Sequence, residues 1–500
     1  MNARDAYARL AAHSLRTTEL ASGLALLEWD QQVMAPQAAH PGRAEQIGAL
    51  TALVHRRCQE TSIGDWLAAC EGSELTRDPL APEAANIRGW RRDYDQAVKI
   101  PEALAVSLAK AASAGQSAWE LARAENNFAA FAPHLRELLS LTMEKAAALG
   151  FAGEAYDALL DRFEPGATTA AVAPLLEELR RAIVPLVDAC REAPQPRPLP
   201  AGPYPVREQE ALAKRVMRLF GLPEDASRLD VSAHPFSTLI GPRDTRITIR
   251  YELDDFTNAL CSAAHETGHS LYSLGHTAVH YGSPMGEEAS LGVHESQSRL
   301  WENMVARSLP FWKFFLPEAA SRFPVLADYT PQEMFRALGA VAPGLIRVDA
   351  DETTYNLHII LRFELEVALS RGDLTVDDLP GAWNDASHRL LGITPATDAQ
   401  GVLQDVHWAA GEFGYFPTYA LGNIYAAALF EAAGRDMPDR DAALEAGNFE
   451  PLRSWLARKI YAKGRLFPPQ ELVASATGAP PTAIPLIAHL RAKAAAVYGL

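Results

Sequence analysis

Cysteine and long hydrophobic runs are both scarce in this sequence. Its four cysteines are scattered over 500 residues with no CxxC pairing, so we expect neither a disulfide framework nor a thiolate metal site. No run of about eighteen apolar residues is present, and no segment is expected to cross a membrane. The N-terminus lacks the apolar stretch of a signal peptide. Together these absences favour a cytoplasmic protein.

Positive charge is also in short supply. The chain has 46 lysines and arginines against 62 aspartates and glutamates, which gives a formal net charge of -16. Nucleic-acid binding needs clustered basic residues that follow the phosphates, so no nucleic-acid partner is expected. The acidic excess is typical of a well-solvated surface.

The spacing of apolar residues predicts a predominantly helical chain. They recur mostly at helical intervals, as at Leu175, Leu179 and Ile183. Residues 245–253 differ, because apolar and polar side chains alternate there, which predicts a strand with one solvated face. The proline-rich residues 194–200 cannot continue a helix and are the best candidate for an internal boundary.

A helix is predicted directly after this strand. Asp254 and Asp255 are suited to cap a helix that begins near Phe256. Gly275 is a plausible residue to end it as a C′ glycine. The chemical motif of the sequence lies within this helix.

The motif is His-Glu-Thr-Gly-His at residues 265–269. Residues four apart lie on one helix face, so His265 and His269 can bind a single ion. Glu266 lies beside that ion, where it can hold a water molecule and act as general base. Three protein ligands on zinc leave a fourth position for the water. The motif therefore predicts a zinc peptidase, in which cobalt is a possible substitute.

Spacing alone does not fix the third ligand. Four glutamates follow within one predicted helical segment, residues 286–309: Glu287, Glu288, Glu295 and Glu302. Glu288 stands nineteen residues after His269, as in many thermolysin-like and aminopeptidase sequences. Glu295 has polar neighbours on both sides, which suits a metal ligand whose own partners are hydrogen-bonded. Both glutamates remain candidates on this reasoning.

Further blocks occur in a fixed order along nearly the whole chain. They are Trp29-Asp30, His234-Pro235-Phe236, Asp244–Thr248, His294-Glu295-Ser296-Gln297, Ile346–Glu352, Gly401–Trp408 and Gly414–Tyr419. With the zinc motif, this pattern resembles the Taq-type thermostable metallocarboxypeptidases. The resemblance implies that Glu295 is the third ligand in place of Glu288.

The same resemblance sets the expected architecture. It implies a predominantly α-helical fold with a small β-sheet beside a long active-site cleft, assembled as a homodimer. We expect a single domain, in which residues from 1 to about 195 cover the cleft and residues 196–500 carry the zinc site. Trp29 and Asp30 are expected to pack a helix of the covering part.

The expected activity is the sequential release of amino acids from the free C-terminus of peptides, with broad specificity. Zinc activates the attacking water, and Glu266 takes its proton and passes it to the leaving amine. By resemblance, Tyr419 and Tyr415 are candidates to donate a hydrogen bond to the oxyanion, with Tyr419 preferred.

A carboxypeptidase must also bind the free carboxylate of its substrate, and arginine does this with paired hydrogen bonds. Arg347 is the first candidate and Arg246 the second. The structural alternative for Arg347 is an ion pair with Asp349 or Asp351. For Arg246 the alternative is a solvated strand face beside Arg250.

Two histidines complete the candidate substrate site. His407 could hold a charged substrate end or an oxygen at the zinc, or it could be a hydrogen-bonded core residue. His234 precedes a proline and is expected in an extended segment, near the cleft by resemblance.

Two other functions fit parts of the sequence. One is an aminopeptidase or oligoendopeptidase that uses Glu288, although no GxMEN-type block for a free amine is present. The other is an inactive peptide-binding scaffold. The intact Glu266 argues against the scaffold.

Overall fold

Helices carry most of the chain, and the computed structural model describes residues 1–500. The predicted predominantly helical fold with a small β-sheet is confirmed. No helix is both long enough and apolar enough to pass through a membrane.

Eight helices precede the proline-rich stretch: α1 (Ala3–Val33), α2 (His40–Cys58), α3 (Thr61–Cys70), α4 (Pro82–Lys99), α5 (Glu102–Glu125), α6 (Phe128–Leu149), α7 (Ala155–Phe163) and α8 (Thr169–Glu192). Next come α9 (Val206–Phe220), the strands β1 (Ser227–Val231), β2 (Phe236–Gly241) and β3 (Asp244–Ile249), and α10 (Phe256–Gly275).

The remaining helices are α11 (Leu291–Arg299), α12 (Leu309–Arg322), α13 (Pro331–Leu338), α14 (Glu352–Arg371), α15 (Leu379–Leu391), α16 (Pro417–Asp436), α17 (Arg440–Glu445), α18 (Glu450–Lys459), α19 (Pro469–Thr477) and α20 (Ile484–Tyr498). Short 3₁₀ turns connect many of them.

The hydrophobic packing divides the molecule unequally. A core of 96 buried residues draws on helices from α5 to α20. A separate cluster of seven buried residues joins only α1, α3 and α4. The proline-rich stretch is extended, but α5–α8 contribute buried residues to the same core as the C-terminal helices, whereas α1–α4 do not. The break in the packing therefore falls near residue 100.

The sheet has the order β1-β3-β2, with β3 parallel to β1 and antiparallel to β2. The predicted strand over 245–253 is too long, because β3 ends at Ile249. Beyond that residue the chain turns toward the next helix, and Leu253 is 60% exposed. Ile247 and Ile249 are fully buried and fix which face of β3 meets the core.

Helix α10 begins as predicted, with the Asp255 carboxylate accepting from the backbone N–H of Thr257 (2.8 Å). The prediction of a C′ glycine at Gly275 is wrong, because this residue is still helical and its φ is not positive. A β-carbon there would lie 2.5 Å from the Tyr461 ring. Glycine is present at this position because the ring packs directly against the helix.

The single helical segment predicted over 286–309 is also wrong. Helix α11 begins only at Leu291, where the Ser290 hydroxyl accepts from the N–H of Val293 (3.0 Å). A π-helix, Leu300–Ala306, follows it directly. The π-turn is wider than an α-turn and changes the direction of the side chains that follow Arg299.

Candidate metal and peptide site

Helices α10 and α11 bring two imidazoles and one carboxylate together. His265 Nε2 and His269 Nε2 lie 3.7 and 3.5 Å from Glu295 Oε2. In a tetrahedral site with bonds of about 2.0–2.1 Å, ligand atoms are about 3.3 Å apart. The three side chains are therefore already placed to bind one ion.

Two glycines allow the helices to approach this closely. A β-carbon on Gly268 would lie 2.5 Å from the carbonyl oxygen of Gln297 in α11. One on Gly422 of α16 would lie 2.6 Å from Cγ of Glu295. Helix α11 is thus held between α10 and α16 by backbone contacts that exclude any larger side chain.

The candidate ligands are oriented by a buried charge network. His265 Nδ1 donates to Glu302 Oε2 at 2.9 Å, which leaves Nε2 free for the ion. Arg299 donates to both Glu295 (2.7 Å) and Glu302 (3.3 Å), and Arg307 donates to Glu302 at 3.0 Å. Partners of this kind fix the tautomer and ring orientation of a metal-binding histidine.

The second histidine is held differently. His269 stacks on His294, with ring centroids 4.0 Å apart and planes 15° apart, and its buried Nδ1 has no hydrogen-bond partner. Burial lowers the pKa of His269 to about 3, so its ring is neutral, as a metal ligand must be. Its orientation comes from stacking and not from a hydrogen bond.

Glu288 lies outside the group of three. Its Oε1 accepts from the Ser273 hydroxyl (2.8 Å) and lies 2.9 Å from His294 Nδ1. It therefore contacts the ring that stacks on His269 and does not share the position between the two motif histidines.

Glu266 is 6% exposed and lies on the same helix as the two histidines. Burial raises the pKa of Glu266, and His265 and Ser237 offset part of this effect. A carboxylate with a raised pKa is better able to accept a proton and release it again near neutral pH.

Arg347 lies in a buried cluster of charged and aromatic residues. Its Nε and Nη2 both donate to Asp405 Oδ1 (3.0 and 2.7 Å), and Nη1 donates to the Tyr355 hydroxyl (3.0 Å). The alternative of an ion pair with Asp349 or Asp351 is therefore wrong. Asp351 instead caps α14 by accepting from two backbone N–H groups.

A second arginine shares the same carboxylate. Arg362 is fully buried and donates through Nε to Asp405 Oδ2 at 2.7 Å. Burial alone would raise the pKa of Asp405, but Arg347 and Arg362 hold it well below its usual range. Two positive charges and one negative charge leave this cluster with an excess of positive charge.

Tyr419 lies between this cluster and His407. Its ring is 4.9 Å from the Arg347 guanidinium, and its hydroxyl is 3.2 Å from His407 Nε2. Burial raises the pKa of Tyr419 well above its usual value and lowers that of His407 to about 3. The phenol is therefore protonated and able to donate. Tyr415 packs beside it with ring centroids 5.3 Å apart.

The structure places the other two candidates apart from this cluster. Arg246 on β3 makes a double hydrogen bond with Asp244 (3.0 Å each), and its guanidinium lies 4.2 Å from the Trp29 ring centroid. His234 is exposed in the turn between β1 and β2, with no side-chain hydrogen bond.

Comparison with known proteins identifies the family of this chain. The model of the carboxypeptidase Taq (M32) metallopeptidase family matches residues 9–494. The chain belongs to this M32 family.

The relatives of this M32 chain cover nearly all of its length. Thermostable carboxypeptidase 1 of Thermus thermophilus is 45% identical over 512 aligned residues, 100% of both chains. Carboxypeptidase 1 of Bacillus subtilis is 36% identical and covers 93% of both. The crystal structure of the M32 carboxypeptidase from Deinococcus radiodurans has a TM-score of 0.96 at 38% identity, and covers 99% of this chain and 100% of its own. The chain is a metallocarboxypeptidase, and its family implies a divalent metal.

Sequence reasoning missed several residues that position the M32 site. Glu302 was considered only as a ligand, although Glu295, Arg299 and Glu302 follow at intervals of four and three residues, a spacing typical of a helical charge network. Sequence reasoning also misses Asp405 as the partner of Arg347, and Arg362 as a second donor to that carboxylate. Asp405 is distant from Arg347 in the sequence, and no local pattern reveals such a pairing.

Proposed function

We propose that the chain is a zinc carboxypeptidase that removes amino acids one at a time from the free C-terminus of peptides. The observation that carries the proposal is the triangle of His265, His269 and Glu295, with Glu266 on the same helix. Two imidazoles and one carboxylate are the donor set of many catalytic zinc sites. Cobalt accepts the same donors and could replace zinc.

A zinc ion held by His265, His269 and Glu295 would polarise the scissile carbonyl and make water a better nucleophile. Glu266 accepts a proton from the attacking water at its carboxylate and passes it to the leaving amine. Its buried position, 6% exposed, supports this role, because burial brings the affinity of the carboxylate for a proton closer to neutral pH.

Arg347 is proposed to bind the terminal carboxylate of the substrate. A guanidinium has five N–H groups, and Asp405 and Tyr355 accept from three of those on Arg347. Two remain for a carboxylate. Arg362 shares Asp405, so this anion does not neutralise the cluster, and a second carboxylate is attracted to it.

Tyr419 is proposed to donate a hydrogen bond from its hydroxyl to the developing oxyanion. His407 is the partner that orients this hydroxyl. Tyr415 packs against Tyr419 and is assigned to substrate contact. Arg246 and His234 are also assigned to substrate contact. The contacts of Arg246 with Asp244 and Trp29 support this role less than those of Arg347 do.

The runner-up function is an aminopeptidase or oligoendopeptidase with Glu288 as third ligand. The contacts of Glu288 with Ser273 and His294 disfavour it. Single Glu295→Ala and Glu288→Ala variants separate the two assignments by their zinc content. We expect loss of zinc in the first and retention in the second, and the reverse result contradicts our ligand set.

Direction of attack is tested with two blocked peptides, one acetylated at its N-terminus and one amidated at its C-terminus. Mass spectrometry of the acetylated peptide should give a ladder that shortens from the C-terminus, and the amidated peptide should stay intact. Cleavage of the amidated peptide alone would exclude a carboxypeptidase. An inactive scaffold would cleave neither when loaded with zinc.

We also propose, from the resemblance to the family, a cytoplasmic homodimer in which residues 1–195 cover the peptide cleft. Light scattering of the purified protein tests the assembly. A mass close to one chain of 54.3 kDa would contradict the dimer.

A further inference from the structure

A cavity lies among the helices of the N-terminal half. It has a volume of about 320 Å³ and lies between the end of α4, the start of α5, and α6 with α7. Its apolar walls come from Ala97, Ile100, Ala105, Leu108 and Leu149.

Two cations also line this cavity, Lys145 and Arg162. Neither makes a hydrogen bond or a close ion pair, and the carboxylate of Glu412 acts on both only as a more distant charge. By contrast, Arg92 of the neighbouring α4 has a bonded carboxylate, that of Asp161 (2.9 Å). The cavity therefore carries excess positive charge beside an apolar wall.

A row of aromatic rings connects the cavity with the peptide site. The Arg162 guanidinium lies 5.3 Å from the ring centroid of Phe163, and the Phe163 ring lies 5.0 Å from that of Tyr415. Tyr415 in turn contacts Tyr419, at 5.3 Å between centroids. Glu412 belongs to the same loop as His407. The cavity is thus three ring contacts away from the proposed oxyanion donor.

These distances limit which part of a substrate can reach the cavity. An extended peptide advances about 3.3 Å per residue, so a residue within about five of the cleaved bond can reach it. A carboxypeptidase that removes one residue has only that residue on the C-terminal side of the bond. The side chain that enters the cavity therefore belongs to the upstream, N-terminal part of the peptide.

We propose that Lys145 and Arg162 form a specificity site for an acidic side chain of the peptide, two to five residues upstream of the cleaved bond. This inference rests on the proposed function. A carboxylate there replaces water around two cations that have no bonded anion, and the apolar wall packs on its methylene groups. A neutral side chain of the same shape gains only the packing.

The test is a series of peptides with one constant C-terminal sequence and a single Glu, Gln or Lys at each upstream position. We expect kcat/KM for Glu to exceed that for Gln by about 5–30-fold at one position, which corresponds to one or two kcal/mol. Lys at that position should be the poorest substrate. The Lys145→Gln, Arg162→Gln double variant should lose the preference and retain kcat/KM for the Gln peptides.

The exposed Lys110 on α5 provides a matched control. Lys110→Gln removes a positive charge from the same part of the molecule and should leave the Glu preference unchanged. Equal kcat/KM for Glu and Gln at every position would overturn the inference and leave the carboxypeptidase intact. Failure to cleave any peptide would overturn the proposed function instead.

Inorganic phosphate distinguishes a substrate site from a general anion site. If phosphate binds the wild type but not the double variant, and the peptides show no Glu preference, the cavity binds free anions and our assignment is wrong. If the Glu preference persists in the double variant, recognition occurs elsewhere, and the inference is again overturned.

Discussion

The α1–α4 unit and the helix pair α10–α11 are packed very differently. Helix α10 buries fourteen of its 20 residues, whereas α1 buries three of 31 and α2 none of 19. One region is fixed by backbone contacts and buried charges, and the other by a cluster of seven residues. A metal site needs ligands held at constant distances, and the dense packing of α10 meets that need.

The largest expected difference between the regions comes from matched Gly→Ala changes. In Gly268→Ala the new β-carbon would lie 2.5 Å from the Gln297 carbonyl oxygen, whereas around Gly48 of α2 nothing lies within 4 Å. We expect Gly268→Ala to lower the free energy of unfolding by about 3 kcal/mol and to reduce bound zinc. Gly48→Ala should stabilise the protein by about 0.5–1 kcal/mol. Urea unfolding measures the stability of both variants, and metal analysis measures their zinc content. Similar effects of the two substitutions would refute the proposed difference in packing between α10 and α2.

A fully buried carboxylate, that of Glu366, makes the stability of the main core depend on pH. Burial raises the pKa of Glu366 to about 7, although Tyr156, Trp408 and Gly414 donate to it. Its charged form is less favourable in the folded than in the unfolded chain. The stability that it contributes is complete below about pH 4.5 and is lost as the pH rises through 7, on the order of 3 kcal/mol.

Glu366→Gln should therefore flatten the fall in unfolding free energy between pH 5 and 8. The control is Glu431→Gln, at an exposed glutamate paired with Arg435. Denaturant titrations at several pH values provide the measurement. An unchanged slope in the Glu366 variant would show that this carboxyl stays charged throughout.

A third prediction concerns the charge network that orients the ligands. Glu302→Gln weakens the acceptor for His265 Nδ1 and should raise the zinc dissociation constant about 10–100-fold. Glu288→Gln, which alters contacts with Ser273 and His294 only, should change it much less. Competition with a chelating indicator measures both constants. If the two variants lose zinc equally, Glu302 has no special positioning role.

The smallest effect on stability is expected where the two regions meet, at a contact made by Arg465. Arg465 donates to Asp93 of α4 (2.9 and 2.8 Å) and to Glu287 ahead of α11 (2.8 Å). Arg465→Gln should cost about 1 kcal/mol or less, because both carboxylates are partly exposed.

The informative measurement is hydrogen exchange, which should become faster in α1–α4 and stay unchanged in α10–α11. Arg435→Gln, which breaks an exposed pair with Glu431, is the matched control. If hydrogen exchange became equally faster in α1–α4 and in α10–α11, the two regions would not open independently of each other.

Sequence reasoning succeeded where the signal is local. The order of strand, cap and helix around His265 follows from alternation, Asp255 and the motif, and the structure has all three. The boundaries failed where distant packing decides them, as at Gly275, which Tyr461 contacts directly. Local sequence patterns do not reveal contacts between residues that are distant in the sequence.

The candidate site shows the same limit. The two histidines follow from helix geometry, but choosing Glu295 over Glu288 needed the resemblance to a family. The π-helix after α11 has no recognised sequence signal, so the positions of Glu302 and Arg307 could not be derived. Asp405 lies 58 residues from Arg347, and only the folded chain brings them together.

Glu164 has a consequence for anyone who wishes to shorten this enzyme. This residue follows α7, and its carboxylate accepts from the N–H of Gly292 at the start of α11 (3.0 Å) and from the Tyr425 hydroxyl (2.9 Å). A fragment cut at the proline-rich stretch would lose that acceptor and expose the first turn of the ligand helix. Deleting α1–α4 would leave the bond in place. A truncation near residue 100 therefore keeps the support of α11 that a cut at the proline-rich stretch removes.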